Sequence, residues 1–439
     1  MKSFVKLIKF PIRALFRVKK KLNAFHTLLK IKIQPIRHYF LKLKVRGKFK
    51  KNIKIKIVFL ITHFSIWKYD DIYRMFLFNE RFDVSILITP VVNQGHKNMV
   101  ENMHHIESNL KKRNLNFVNL YNKQTNQYLN VKREIKPDIV FFTNPHQGLV
   151  YEKYYFPLLS RYLSVYVPYS FRCVNRDKDH YDKTFMNLVW KVFYESHFHL
   201  KKASLVARNK AQNGVLSGYP PLEKLNYGFR TNRATHWKSN NEKYKRIIWA
   251  PHHTIENQNP LSFSTFLKFS DIFIEIARFF SDDVQFVFKP HPLLKYKLYQ
   301  DDFWGYKKTT EYYQLWSSMI NTSVHEDDYI DLFNESDAII HDSNSFLAEY
   351  FYTGKPCLYL VQNDKLYDQF NELGQEILKH YYQAENREDI CNFINTSVIL
   401  ENDELQESRN EFFNKRLKID NDVSPSKYIY NYLLNKISE

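Results

Sequence analysis

From Ile53 onward, short apolar runs alternate with stretches of helical spacing, and the runs close on polar or turn-forming residues. Ile53 to Ile61, Asp83 to Val91, Asn116 to Leu120, Asp138 to Thr143 and Ser164 to Val167 read as strands, with helical patterns near 97–113, 151–162 and 182–199 between some of them. Arg246 to Trp249, Val284 to Phe288, Ala338 to Ile340 and Cys357 to Val361 repeat the strand pattern, and helical segments follow to the carboxy terminus. Strands separated by helices pair in parallel through crossovers, so the alternation predicts an α/β protein. At 439 residues and 44% hydrophobic content the chain can bury two cores. The boundaries that follow are a leader over 1–51, a first domain over 52–232, a polar linker over 233–244 and a second domain over 245–439.

The second domain carries the sharper chemistry. Val284–Phe288 ends in Lys289-Pro290-His291-Pro292, and Ala338–Ile340 ends in His341-Asp342-Ser343-Asn344-Ser345. In an open α/β sheet, ligands sit beyond the carboxyl ends of the strands, where Lys289, His291, His341 and Asp342 then stand. The pattern turns helical through Phe346, Leu347, Tyr350 and Phe351 and stops at Gly354, with Lys355-Pro356 beyond. A helix start offers unpaired backbone N–H groups and the positive end of a dipole, so Ser343 and Ser345 there complete an anion cradle. Glu349, four residues after Ser345 on the same face, suits ribose hydroxyls rather than phosphate. One nucleotide diphosphate satisfies both requirements. Only nine glycines occur, with no GxGxxG or Walker A loop, so phosphate recognition rests on side chains and helix ends.

The run from Trp249-Ala250-Pro251-His252-His253 through Lys289-Pro290-His291-Pro292 to Asp331-Leu332-Phe333, Ser336-Asp337-Ala338 and Asp342-Ser343-Asn344-Ser345 resembles the CDP-glycerol glycerophosphotransferase family of wall and capsule polymer enzymes. The resemblance covers about residues 245–362 and implies a GT-B fold, two Rossmann-like domains facing a cleft. It implies transfer of glycerol phosphate from a CDP-linked donor to a growing polymer, with release of CMP. This chain has His252 where the family carries Thr, and Asn344-Ser345 where Tyr-Ser-Ser is expected. Donor phosphate then falls to Lys289, His291, Ser343 and Ser345, and the nucleotide to Glu349, Asp342 and His252. The Gly354-Lys355-Pro356 end is also similar to nucleotide-sugar glycosyltransferases of GT-B type, which leaves a sugar-nucleotide donor as the alternative.

The family's first-domain histidine lies in a His-Gly-Thr-Pro sequence that is absent here. The substitute is His146 in Asn144-Pro145-His146-Gln147, directly after the strand 138–143, as general base beside His291. Tyr169 and Arg172 follow the next strand and are candidate acceptor contacts. Paired His252 and His253 lack a third ligand at metal spacing in the sequence, so no metal is expected. No cofactor is called for either, because basic side chains neutralise the phosphates. The three cysteines, Cys173, Cys357 and Cys391, match neither a zinc site nor a disulfide framework, so a reducing compartment is the default.

Residues 1–69 hold 20 Lys and Arg and no acid, leaving 45 basic against 46 acidic residues beyond, so the net charge of +19 is almost wholly a leader. Phe4, Leu7, Ile8, Ile12 and Leu15 mark one helical face with Lys6, Lys9, Arg13 and Arg17 on another. Leu22, Phe25, Leu29 and Ile33 repeat the pattern, with Pro11 and Pro35 as interruptions. Such a helix suits an anionic bilayer surface, and no run of about 18 apolar residues is present to span one. The expected place is the cytoplasmic face of a bacterial inner membrane, with a polymer or lipid-linked acceptor. Nucleic-acid binding by the basic arm is the competing reading; it is not expected, because apolar residues alternate with the charges.

Overall fold

The computed structural model describes residues 2–93, 95–225, 227–228, 230–231, 235–256, 262–362 and 366–439; for 2–21 and 23 only the helical backbone is described. The faces expected from Phe4 to Leu15 and from Lys6 to Arg17 therefore lie outside the described side chains, and part of the 233–244 linker lies outside the described residues.

The chain forms two compact units. The first comprises Met1–Tyr169, Asp177–Pro220 and Asn421–Glu439; the second comprises Ser170–Arg176 and Pro221–Asp420. The sequence boundaries had Ser170–Arg176 in the first domain and Asn421–Glu439 in the second. Contacts, not sequence order, decide both: Ile429, Leu433 and Ile437 of the helix Pro425–Ser438 enter the first unit's core.

In the first unit, β1 (Ile55–Ile61), β2 (Phe82–Ile88), β3 (Phe117–Asn119), β4 (Ile139–Phe142), β5 (Leu163–Tyr166), β6 (Lys191–Tyr194) and β7 (Gly214–Leu216) form one sheet ordered β3-β2-β1-β4-β5-β6-β7. Every pairing is parallel, with Phe59 opposite Ile86 on one side and Phe141 on the other. The second unit pairs β8 (Lys245–Ala250), β9 (Val284–Phe288), β10 (Thr322–Val324), β11 (Ala338–His341), β12 (Cys357–Leu360) and β13 (Tyr382–Ala384) in the order β10-β9-β8-β11-β12-β13, again all parallel. Each order starts 3-2-1-4-5-6, the Rossmann arrangement, whose direction reverses beside the first strand. The central strands are buried on both faces, which is why they read as continuous apolar runs rather than alternating ones.

Two expectations about elements are corrected. The stretch 182–199 is not one helix: Thr184–Leu188 ends before β6, and a second helix, His197–Val206, follows it. Nor do Pro11 and Pro35 divide the leader, because a single helix runs from Lys2 to Lys50. An interior proline removes one backbone bond and costs ~3 kcal/mol. Docking compensates here: Ile31 and Val45 are buried in the first unit's cores, and the Lys48 ammonium lies 2.7 Å from the Asp138 carboxylate, which is almost fully buried.

Candidate functional site

In the second unit the strand order reverses between β8 and β11, and the loops leaving β8, β9 and β11 carry the candidate residues. An aromatic stack fixes the ends of β8 and β9. Trp249 lies with its ring centroid 4.1 Å from Phe273 and 4.9 Å from Phe288, both nearly coplanar with it. Stacked aromatics of this kind add ~0.5–1.5 kcal/mol per pair beyond burial. Three residues past Trp249, His252 is buried, and its ring centroid is 4.4 Å from that of His253 and 5.2 Å from that of His291; His253 and His291 are 4.2 Å apart.

His291 is thus the third imidazole that the sequence spacing did not offer, and one ring nitrogen from each of His252, His253 and His291 lies within 4.8 Å of the other two. The sequence argument against a metal is corrected to that extent. Hydrogen bonding indicates what the cluster prefers. His291 caps the helix Pro292–Leu298, its Nδ1 accepting from the Leu293 amide at 3.1 Å. Thr254 Oγ1 already accepts from the amides of Phe263 at 3.0 Å and Ser264 at 3.3 Å, so its hydroxyl proton is directed to His252 Nδ1, 2.9 Å away. Both rings then carry their proton on Nε2. Two fixed N–H donors suit an anion; a cation on the same nitrogens requires both tautomers to change.

Burial first, and then neighbouring imidazoles and lysines, hold His252 and His291 well below the usual histidine pKa. Burial and Lys297 lower His253 to about 4. The cluster is neutral at physiological pH and donates hydrogen bonds without charge. Charge comes from Lys289, whose side chain is buried at the β9 exit and whose amide donates to Trp249 O at 2.8 Å.

The remaining second-unit residues divide. Ser343 takes the N-cap of the short helix Asn344–Glu349 without using its hydroxyl as a cap, and Ser345 is half-buried beside it. Asp342 is fully buried: it accepts from the His252 amide at 2.5 Å and from the Thr265 amide and hydroxyl at 2.5 and 2.9 Å. Burial raises its carboxyl to about 6 despite those bonds. It ties the β8 and β11 exits together, and its oxygens are spent on backbone rather than presented to a ribose. His341, expected among the strand-end groups beside the ligand, is also fully buried, with Nδ1 accepting from the Ser343 amide at 3.1 Å and Nε2 lying 3.4 Å from the Tyr381 hydroxyl. Burial lowers its pKa to about 3. Glu349 is buried and hydrogen-bonded with the Tyr329 hydroxyl. Lys355 caps the helix Ile330–Glu335 from inside, donating to the carbonyls of Phe333, Asn334 and Ser336 at 2.7–3.0 Å. Arg172 belongs to the second unit and is buried, its carbonyl accepting from the Asn371 side chain at 3.0 Å.

In the first unit the order reverses between β1 and β4. His146 stands after β4, its amide donating to Asn144 Oδ1 at 2.7 Å. Lys183 Nζ is 2.7 Å from His146 Nδ1, and the Tyr169 hydroxyl is 3.3 Å from Nε2. An ammonium has only protons to offer, so His146 Nδ1 accepts and Nε2 carries the ring proton. That tautomer donates; it has no lone pair at Nε2 for general-base work, and a second proton would be repelled by Lys183. His63, at the β1 exit, has the complementary property. Its half-buried ring has no hydrogen-bond partner among the described residues, and burial lowers its pKa below 6.5. Sequence reasoning missed both Lys183 and His63. Position after β1 in a Rossmann order was the available signal for His63, whereas nothing local pairs Lys183 with a residue 37 positions away.

No family model and no curated protein matches this sequence. Solved structures do. The wall teichoic acid polymerase TagF, as an H444N variant, superposes with a TM-score of 0.58 at 13% identity, covering 95% of this chain and 98% of that one. Its H548A variant gives 0.56 at 15% identity with the same coverage. The S. aureus MnaA–UDP structure gives 0.53 at 15% identity over 88% of this chain and 98% of that one. The neighbours thus include the wall-polymer enzymes that the motifs resemble. At these identities they establish the architecture: this chain has a mixed α/β fold of the GT-B type.

Proposed function

We propose that the chain is a transferase that moves glycerol phosphate, or a related unit, from a CDP-linked donor to a growing cell-surface polymer. The observation that carries this reading is the neutral imidazole cluster at the second unit's switch point, with two fixed Nε2–H donors beside buried Lys289. TagF has also been solved after a soak with CDPG, and MnaA with UDP, which supports a nucleotide-linked donor on this fold.

In the proposed reaction an acceptor hydroxyl attacks the phosphorus of the glycerol phosphate in line, and CMP leaves with the electrons of the broken P–O bond. His291, His252 and Lys289 meet the charge that develops on the phosphate oxygens, with Ser343 and Ser345 as further donors and Glu349 and Asp342 holding the nucleotide-side loops. In the first unit His146 donates from Nε2, Tyr169 lies beside it, and His63 is the imidazole able to take the acceptor's proton.

The leader supports work at a membrane surface. Leu22, Phe25, Leu29, Ile33, Ile36 and Phe40 recur at three- and four-residue intervals and are 42–66% exposed, while Ile31 and Val45 on other faces are buried. Exposed Lys30, Lys32, Arg37 and Lys44 accompany the stripe. No helix among the described residues is long and apolar enough to cross a membrane. We read the helix as a peripheral anchor on an anionic cytoplasmic leaflet.

Incubating the protein with CDP-glycerol, UDP-sugars and CMP-sugars and measuring nucleotide release tests the donor. CMP from CDP-glycerol is the expected result. Release from a sugar nucleotide alone would overturn the assignment in favour of a glycosyltransferase.

A further inference from the structure

One flank of the leader helix borders a cavity of about 760 Å³ within the first unit. Its walls include Lys32, Lys42, Lys191, Arg208, Lys210 and Lys436, and no carboxylate lines it among the described residues. Two of these cations are partly neutralised from outside the lining: Arg208 by Asp182 at 3.0 Å and Lys436 by Glu439 at 3.5 Å. Lys32, Lys42, Lys191 and Lys210 have no ion-pair partner among the described residues. Gln34 and His38 are buried in the same wall and bonded to each other at 2.9 Å.

Like charges gathered in a concavity repel, and the repulsion grows as water is excluded. Burial and then Lys436 depress the Lys191 pKa, and burial, Lys191 and Arg37 take His38 to about 4. An arrangement of this kind is relieved by a bound anion. The rim narrows the choice. Lys32 and Tyr39 line the cavity and immediately precede Ile33 and Phe40 of the exposed apolar stripe, so the charged hollow and the apolar stripe adjoin on one helix. Free phosphate uses only the hollow. A lipid uses both.

We propose that this cavity binds the phosphate headgroup of an anionic phospholipid whose acyl chains lie along the stripe. The proposal rests on the membrane reading above and is independent of the donor. It makes the leader a lipid-selective device rather than a diffuse basic anchor.

The test is co-sedimentation of the full chain with vesicles of phosphatidylcholine alone and of phosphatidylcholine with phosphatidylglycerol, at one ionic strength. Lys191→Gln/Lys210→Gln is expected to lower affinity for the anionic vesicles about thirtyfold and leave neutral vesicles unchanged, the scale for two basic residues near a charged surface. Lys30→Gln/Lys44→Gln removes the same charge outside the cavity and is expected to lose clearly less; an equal loss would overturn the pocket and leave only surface electrostatics. Displacement from anionic vesicles by millimolar inorganic phosphate would overturn the lipid assignment, as would loss of short-RNA binding in the pocket variant with vesicle binding intact. Phe25→Ser/Phe40→Ser separates the two layers of the argument: if it releases the protein from neither vesicle, the membrane reading itself fails. Circular dichroism of each variant checks that folding is retained.

Discussion

Two histidine sites, one in each unit, stand at the carboxyl ends of strands in sheets whose first six strands share one order, yet they are held in opposite ways. In the second unit three imidazoles are packed together, kept neutral by burial, and two have their tautomers set by a backbone amide and by Thr254. In the first unit His146 is a loop residue set by one lysine and neighboured by one tyrosine, while His63 has no partner among the described residues. The first arrangement is rigid and donates; the second leaves one ring committed and one ring free to accept. The difference teaches that an imidazole's role follows from what occupies its other nitrogen, not from its position after a strand.

The largest expected effect is at the rigid site. His291→Ala is expected to lower kcat about 10²–10³-fold, the usual cost of removing one preorganised donor to a developing oxyanion. Near-normal turnover by a folded variant would break the comparison outright. Asp342→Ala leaves the buried amides of His252 and Thr265 without an acceptor and is expected to destabilise the protein by about 3 kcal/mol. Urea unfolding measures it, and a loss below about 1 kcal/mol would show that the exits of β8 and β11 are held by other means.

At the looser site, three variants separate donor from base. His63→Ala is expected to cost at least about 10²-fold, the lower range for removing a general base. His146→Gln keeps an N–H donor and is expected to stay within about tenfold of the parent, while His146→Ala falls further. Equal, severe losses in both His146 variants, with His63→Ala active, would return the base to His146.

The last effect is on acid stability. His341, His253 and His38 have folded pKa values of about 3, 4 and 4 against 6.5 unfolded, so the stability they contribute is present above 6.5 and is lost as pH falls toward those values. Asp342, raised from 3.8 to about 6, acts in the opposite direction over a narrower window, so the histidines prevail. The second unit, with His252, His253, His291 and His341, is expected to open before the first between pH 6.5 and 4. Hydrogen exchange followed by unit tests this, and simultaneous opening would show that the buried imidazoles do not set the order.

Much of the fold was legible in the sequence. Strands buried on both faces leave runs such as Val284–Phe288 and Ala338–His341, and the structure places them within a residue of their expected ends. Among the strands of the two large sheets that escaped notice, β7, β10 and β13 have three residues each, and β6 has four between two helices, too short for a period to register. The candidate site was legible in part. Lys289-Pro290-His291 stands where a strand ends in polar residues, and that pattern is local. The inward orientation of His341, the engagement of Asp342 with backbone amides and the approach of His291 to His252 across 39 positions are not local.

By itself the sequence determined the α/β class, the places where strands end and the concentration of positive charge in the leader, because periodicity, termination and charge are properties of neighbouring residues. Only the tertiary structure decided which imidazoles meet, which nitrogen each one offers, and that the leader helix borders a cavity lined with basic side chains. Those depend on strand order and docking, which bring together groups that no local pattern connects.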